Sequence, residues 1–366
     1  MVNALNFKEN KGKVVVAMSG GVDSSVAAAL LKERGFEPIG ITMTLYCATS
    51  ASERSCCSAA AATDAKKVAD QLGFPHYTIN FKDDFQRLII DNFIEEYKQG
   101  RTPNPCVRCN QFLKFDLLLK KARELGAEYV ATGHYARIRG WGMGDRGLKL
   151  LKGLDPKKDQ SYFLYRLTQE QLAHTLFPLG EMTKDEVRAK AKELGLAVAE
   201  KKESQEICFI EDDDYARFIR EKVPEAVRPG PILDSTGNKV GEHEGIVFYT
   251  IGQRKGIGAH REPRYVIALD REQNAVVIGT KKETYGTGLM AADVAFVSGV
   301  RLSEPLAVTA KIRYNALAAE ATVAGRGEEI RVIFKEPQLA ITPGQSVVLY
   351  QGEEVLGGGI ISRKDQ

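Results

Sequence analysis

Apolar residues in the first half of the chain fall into short solid runs separated by segments of helical period. Val14–Met18, Ile39–Leu45, His76–Phe81 and Tyr129–Thr132 read as strands. Asp23–Arg34, Ala59–Leu72, Asp84–Tyr97 and Phe112–Leu125 read as helices, with Gly35, Gly73 and Gly126 where helix C-caps belong. Such alternation predicts an α/β fold, a parallel sheet covered by helices. Helical patterns continue over Asp159–Arg166, Gln169–Leu176 and Lys184–Leu194, the last stopped by Gly195. Beyond roughly residue 225 prolines and glycines punctuate short β-branched runs: Tyr265–Leu269, Val276–Ile278, Val308–Tyr314, Ile330–Phe334 and Val347–Tyr350. In Val308–Tyr314 the apolar Val308, Ala310, Ile312 and Tyr314 alternate with Thr309, Lys311 and Arg313, the mark of a half-buried strand. The pattern divides the chain into an α/β domain over 1–210, a small central β-rich domain over 211–285 and a C-terminal β-barrel over 286–366.

At the first strand-to-helix junction stands Ser19-Gly20-Gly21-Val22-Asp23-Ser24-Ser25. Adjacent glycines permit a tight turn and close approach of a ligand. The helix beginning near Asp23 offers unpaired amides, with the Ser24 and Ser25 hydroxyls beside them, to an anion. The loop lacks the lysine of the Walker pattern and the third glycine of the dinucleotide fingerprint. It resembles the pyrophosphate-binding loop of ATP pyrophosphatases, which split ATP into AMP and pyrophosphate.

The chain's 366 residues exceed a single core, and 27% charged with 43% hydrophobic residues describe a soluble globular protein. Neither an apolar leader within Met1–Lys13 nor a run of membrane-spanning length is present, so a cytoplasmic location is expected. A net charge of +3 leaves nucleic-acid binding to local patches. One candidate carries Lys98, Arg101, Arg108, Lys114, Lys120, Lys121 and Arg123. The other carries Arg254, Lys255, His260, Arg261 and Arg264.

Six cysteines with CxxC spacing in a chain of this length point to reactive thiols or metal ligation. In Thr102-Pro103-Asn104-Pro105-Cys106-Val107-Arg108-Cys109-Asn110 two prolines predict a loop, with Asn110 capping the basic helix that follows. A thiol at a helix N-terminus beside Arg108 is a better nucleophile or ligand. Cys208 lies in Ile207-Cys208-Phe209-Ile210. Three readings stay open: zinc, which the adjacent Cys56 and Cys57 suit poorly; thiols cycling through a persulfide or disulfide; and a 4Fe–4S cluster on Cys106, Cys109 and Cys208. Cys47, Cys56 and Cys57 suit a packing role.

These stretches together resemble the tRNA-specific 2-thiouridylase family. They are joined by Ala131-Thr132-Gly133-His134-Tyr135, Lys158–Leu164, Thr250–Gly256, Thr342-Pro343-Gly344-Gln345 and Gly357–Ile361. The resemblance implies a sulfurtransferase that binds ATP, with Mg2+, on Ala17, Met18, Ser19, Gly20, Gly21, Val22, Asp23 and Ser24, with further contacts at Met43 and Gly133. It implies tRNA contacts at Asn104, Pro105, Cys106, His134, Lys158, Asp159, Gln160, Arg313, Tyr314 and Gln345. Cys208 would carry persulfide sulfur and Cys109 would release it by forming a disulfide. The tRNA would present a wobble uridine in Lys-, Glu- or Gln-type anticodons, and a cysteine desulfurase or sulfur-relay protein would supply the sulfur. Some members of the family carry Asp where this chain has Cys106, which keeps the cluster alternative in view. An amidating or ligating enzyme of the same ATP-splitting class would explain the loop but not the positioned thiols. A non-catalytic RNA-binding module with a remnant nucleotide fold is the other alternative, and it would show no ATP–pyrophosphate exchange.

Overall fold

The computed structural model describes residues 11–46, 59–140, 147–201, 207–210 and 214–365. Cys47, Cys56 and Cys57 therefore lie outside the described residues, as do Ser204, Gln205 and Glu206. Its contacts divide the chain into two compact units. The first comprises residues 1–89, 106–213 and 353–355; the second comprises 90–105, 214–352 and 356–366.

The first unit is built on a five-stranded parallel sheet in the order His76–Asn80, Glu37–Thr44, Lys13–Ala17, Tyr129–Ala131, Thr175–Leu176. Chain order reverses on either side of Lys13–Ala17, which makes the carboxyl end of that strand the place where an open α/β sheet leaves a crevice. Val14 and Val16 of this strand and the following Met18 point into one core with Val22, Val26 and Ala27 of the helix Val22–Glu33. Ala65 and Val68 of the helix Ala59–Leu72, and Val187 and Ala191 of the helix Lys184–Glu193, complete that layer. Gly35, Gly73, Gly126 and Gly195 end their helices at φ +85°, +69°, +73° and +61°, the left-handed conformation a helix C-cap uses.

The structure refines several of these elements. The helix read over Asp84–Tyr97 is present as one uninterrupted run, Lys82–Phe85, a π-helical turn Gln86–Ile90 and Asp91–Lys98. Asp159–Arg166 holds only the 3-10 turn Ser161–Phe163, and Gln169–Leu176 ends its helix at Ala173 before the short strand. Thr102–Asn104 is loop, but the cysteines themselves are helical: Pro105–Arg108 runs directly into the π-helix Cys109–Leu117 and then Leu118–Glu124. Proline is tolerated in a first turn, where its missing N–H has no helical partner in any case. Asn110 is therefore inside the helix and buried, not its cap.

In the second unit a four-stranded sheet is ordered Tyr265–Asp270, Ala275–Gly279, Gly230–Asp234, Lys239–His243. Beside it in sequence, Tyr285–Phe296, Glu329–Leu339, Ala319–Arg326, Leu306–Lys311, Ser346–Gln351 and Glu354–Asp365 follow one another edge to edge, and Tyr285–Phe296 pairs again with Glu354–Asp365. The described strands close a barrel, with Leu289, Val323, Val332, Val347, Leu349 and Ile361 fully buried within it. The strand read over Val308–Tyr314 stops at Lys311, leaving Tyr314 half-exposed. Among the described residues no helix is long and apolar enough to cross a membrane.

Candidate nucleotide loop and sulfur-transfer thiols

Gly20 takes φ +66°, and a Cβ there would fall 2.3 Å from the Ala61 carbonyl oxygen, so the loop is seated against the helix Ala59–Leu72 at a point only glycine can occupy. Gly21 is the N-cap of Val22–Glu33 in extended conformation. The amides of Val22, Asp23 and Ser24 lie in the first turn, where no helical acceptor exists. The serines divide by role. Ser24 Oγ accepts from the Ser19 amide at 3.1 Å and donates to the Gly21 carbonyl at 3.2 Å, and Ser25 Oγ donates to the same carbonyl at 2.9 Å. Both are buried and brace the loop, while Ser19 is exposed and Gly21 and Asp23 are half-exposed. The outward face of the loop is thus Ser19, the first-turn amides and Asp23.

The other expected nucleotide contacts converge on this edge. Ala17 pairs with Ile41, two residues before Met43. Gly133 follows the strand Tyr129–Ala131, and a Cβ on it would meet the Asp23 carbonyl carbon and the Ser24 nitrogen at 2.8 Å. Met18 donates its amide to the Ile41 carbonyl, and its own carbonyl accepts from Thr42 Oγ1 at 2.8 Å, which stands 2.9 Å from His76 Nε2. Burial, then the nearby Lys66, lowers the pKa of His76 against the opposing pull of Asp70.

Asp23 is held by residues that sequence reasoning did not select. Lys184 Nζ donates to its two oxygens at 2.7 and 2.8 Å, and Tyr135 donates its hydroxyl at 2.8 Å. Behind Tyr135, Gln160 exchanges two hydrogen bonds with its main chain. Lys184 is itself fixed, its amide donating to Asp155 Oδ2 at 3.0 Å. Burial opposes ionisation of Asp155, but the amides of Lys184, Lys157 and Lys158 outweigh it and hold the carboxyl below its ordinary pKa. On the other side, Lys201 Nζ donates to the Gly20 carbonyl at 3.1 Å and to Asp64 at 2.7 Å. With an ammonium on both its oxygens, Asp23 fits a loop anchor better than an open magnesium ligand. A magnesium ion arriving with a nucleotide draws most of its ligands from phosphate and water.

Cys106 is exposed on the first helical turn, Cys109 is buried at the start of the π-helix, and Cys208 is half-buried. The chain around each of the last two cysteines leans on one short stretch. Phe209 packs edge-on against Phe85 at 5.6 Å, and Arg108 donates to the Leu88 carbonyl at 3.1 Å. Among the described residues no three His, Cys, Asp or Glu side chains are gathered as a metal-binding set. Cys106, Cys109 and Cys208 are all described, so as placed they do not compose a cluster's ligands.

The expected tRNA contacts fall into different roles. His134 is buried between Phe115 and Phe177, its Nδ1 2.7 Å from Thr132 Oγ1; burial, then Lys114, pushes its pKa well below 6.5. Asp159 accepts from the amides of Gly153 and Ser161 at 3.0 Å each and fastens a turn. Lys158 is half-exposed on that turn. Within the second unit, Gln345 Nε2 donates to the Thr102 carbonyl at 2.9 Å and to the Pro103 carbonyl at 3.3 Å. The Thr102 amide donates to the Pro343 carbonyl at 2.9 Å, so Thr342–Gln345 clasps the chain leading to Asn104 and Pro105. Arg313 donates to the carbonyls of Ile251 and Ala340 and to Thr342 Oγ1, and Lys311 lies over the Tyr314 ring. His134, Asp159, Gln160 and Arg313 thus have internal partners that already explain their presence.

Three family models match in succession: a tRNA methyl transferase HUP domain over residues 12–212, a tRNA methyl transferase PRC-barrel domain over 216–280 and an aminomethyltransferase beta-barrel domain over 286–361. A tRNA-specific 2-thiouridylase of Caldanaerobacter subterraneus subsp. tengcongensis is 54% identical over 362 residues, 97% of this chain and 99% of its own. That of Geobacter metallireducens is 54% identical over 358 residues, 95% and 96% of the two chains. The enzyme of the same name from Acetivibrio thermocellus is 51% identical over 96% and 99%. With half its residues shared over nearly the whole length of these relatives, the chain belongs to the tRNA-specific 2-thiouridylase family.

Proposed function

We propose that this protein thiolates C2 of the wobble uridine of tRNA in two half-reactions. The observation that carries the first is the braced loop Ser19–Ser25 at the crevice of the sheet, with Gly20 and Gly133 packed too closely for any side chain. ATP would lie on Ala17–Ser24, Met43 and Gly133. The uracil C2 oxygen attacks the α-phosphorus; the bond to the β-phosphate breaks, and its electron pair leaves with pyrophosphate. The purpose is to turn a poor leaving group into AMP. First-turn amides and Ser19 would meet the charge that develops on the phosphates.

In the second half-reaction Cys208 carries a persulfide supplied by a desulfurase or relay protein. The Cys109 thiolate attacks the Cys208 sulfur, the persulfide bond breaks, and the outer sulfur leaves as hydrosulfide. Hydrosulfide adds at C2, and the C2–O bond breaks to expel AMP. The resulting Cys109–Cys208 disulfide is reset by a two-electron thiol reductant. The shared support of both cysteine segments on Phe85–Leu88 favours this route. So does the absence of a gathered metal-ligand set among the described residues.

Pyrophosphate release and nucleoside analysis, run together on unmodified tRNA, test the proposal. Cys109→Ser and Cys208→Ser should each abolish 2-thiouridine while leaving tRNA-dependent pyrophosphate release within a few-fold of wild type. Normal thiolation by Cys208→Ser would sink the scheme. Cys106→Ser should retain substantial activity; loss of turnover together with visible iron–sulfur absorption would move the chemistry to a cluster.

A further inference from the structure

The loop proposed to bind a nucleotide holds no cation of its own. Residues 17–26 contain one ionisable side chain, Asp23, and it is an acid. A triphosphate brought to such a loop meets amide dipoles and a negative charge, so positive charge must arrive from elsewhere in the chain. Among the described residues two lysines reach it. Lys184 is at the first position of the helix Lys184–Glu193, where the macrodipole disfavours a cation, and it is buried there with its ammonium on both oxygens of Asp23. That interaction cancels the loop's own charge and supplies no surplus. Lys201 is different. Its ammonium bonds the loop itself, at the Gly20 carbonyl, and its side chain stays 37% exposed.

We propose that Lys201 is a phosphate ligand of the nucleotide site, kept beside the loop by Asp64, and that Lys184 is a positioning residue which neutralises and orients Asp23. This rests on the nucleotide reading above and adds the residues that supply its charge. An exposed lysine–carboxylate pair contributes little in water. Asp64 is 30% exposed, so it can yield the ammonium to a phosphate, whose charge-assisted hydrogen bond is the stronger one. Asp64 then acts as a placeholder that keeps the long lysine side chain near Gly20 before the nucleotide arrives.

Calorimetric titration of the full-length protein with ATP and Mg2+ at several salt concentrations tests this, paired with KM and kcat for tRNA-dependent pyrophosphate release. Lys201→Met should weaken ATP binding roughly tenfold to a hundredfold, the effect of one charged hydrogen bond, and flatten its salt dependence. Lys201→Arg should recover most of the affinity. Asp64→Asn should leave affinity unchanged or tighter, because the ammonium loses its competing partner. Equal loss in Asp64→Asn and Lys201→Met would identify a structural brace and overturn the proposal, as would wild-type affinity in Lys201→Met. Thermal unfolding identifies a variant that has failed to fold. If Lys201→Met fails, the opposed expectations for Lys201→Arg and Asp64→Asn still decide. Absence of ATP binding by the wild type would instead overturn the nucleotide reading itself.

Discussion

At the residue scale the site depends on groups that tolerate no neighbour. Gly20→Ala must place a methyl into the Ala61 carbonyl in a left-handed conformation, so the loop must shift. Strain of this kind costs about 1–3 kcal/mol. The expected outcome is a lower melting temperature together with loss of ATP binding; an unaltered titration would show that the loop geometry is dispensable. His134 carries a different prediction. Its folded-state pKa lies below the 6.5 of a free imidazole, so between those two values the unfolded chain binds the extra proton. The contribution to stability is complete above 6.5 and is lost as pH falls toward the folded value. Imidazole resonances followed by NMR should show His134 neutral at pH 6.5, and His134→Gln should flatten the acid side of the stability profile. Titration of His134 near 6.5 would place it in solvent and return it to the set of expected tRNA contacts.

At the element scale the helix Lys184–Glu193 joins folding to the site. Thr183 caps it, its hydroxyl accepting from the Glu186 amide while Glu186 answers with its carboxylate to the Thr183 amide, a reciprocal capping box. Thr183→Ala should cost about 1 kcal/mol of stability. Because Lys184 follows directly, the same change should also raise KM for ATP, whereas Lys190→Ala at the far end of the helix should not. Elements with their cause in local sequence are legible. Ala59–Leu72 ends where its alanine-rich pattern does, just before Gly73, and the serine–glycine loop is readable because its seven residues are consecutive. Residues whose role comes from distant partners are not. Tyr135 and Lys184 meet Asp23 across 112 and 161 positions, and no periodicity reports such a meeting. One clue is present: a lysine opening a helix opposes the dipole and calls for an acid nearby. Asp159–Arg166 has a helical pattern but no long helix, because Asp159 turns its carboxylate back on Gly153 and Ser161, which stabilises a turn instead. Asn110 cannot be a cap, because Pro105 starts the helix five residues earlier instead of prolonging a loop.

At the scale of the whole molecule, a net charge of +3 on 366 residues gives too weak a field to hold a polyanion, so tRNA affinity must come from local surfaces. The structure separates basic residues with internal partners from those facing water. Arg313 has its guanidinium on two carbonyls and a hydroxyl, so Arg313→Ala should chiefly destabilise the second unit. Arg254, Lys255 and Arg261 are exposed on one glycine-bearing loop of that unit. Removing a side chain that neutralises one phosphate should make the slope of log affinity against log salt shallower by about 0.7–0.9. The triple variant Arg254→Ala, Lys255→Ala, Arg261→Ala should therefore bind tRNA more weakly and with a shallower slope. Its ATP affinity should be unchanged, since the residues proposed to bind the nucleotide belong to the first unit. Binding titrations from low to moderate salt read both quantities. A slope equal to wild type in the triple variant, with a reduced slope in Arg313→Ala, would reverse the assignment and show that hydrogen bonds to the chain do not keep an arginine from the RNA.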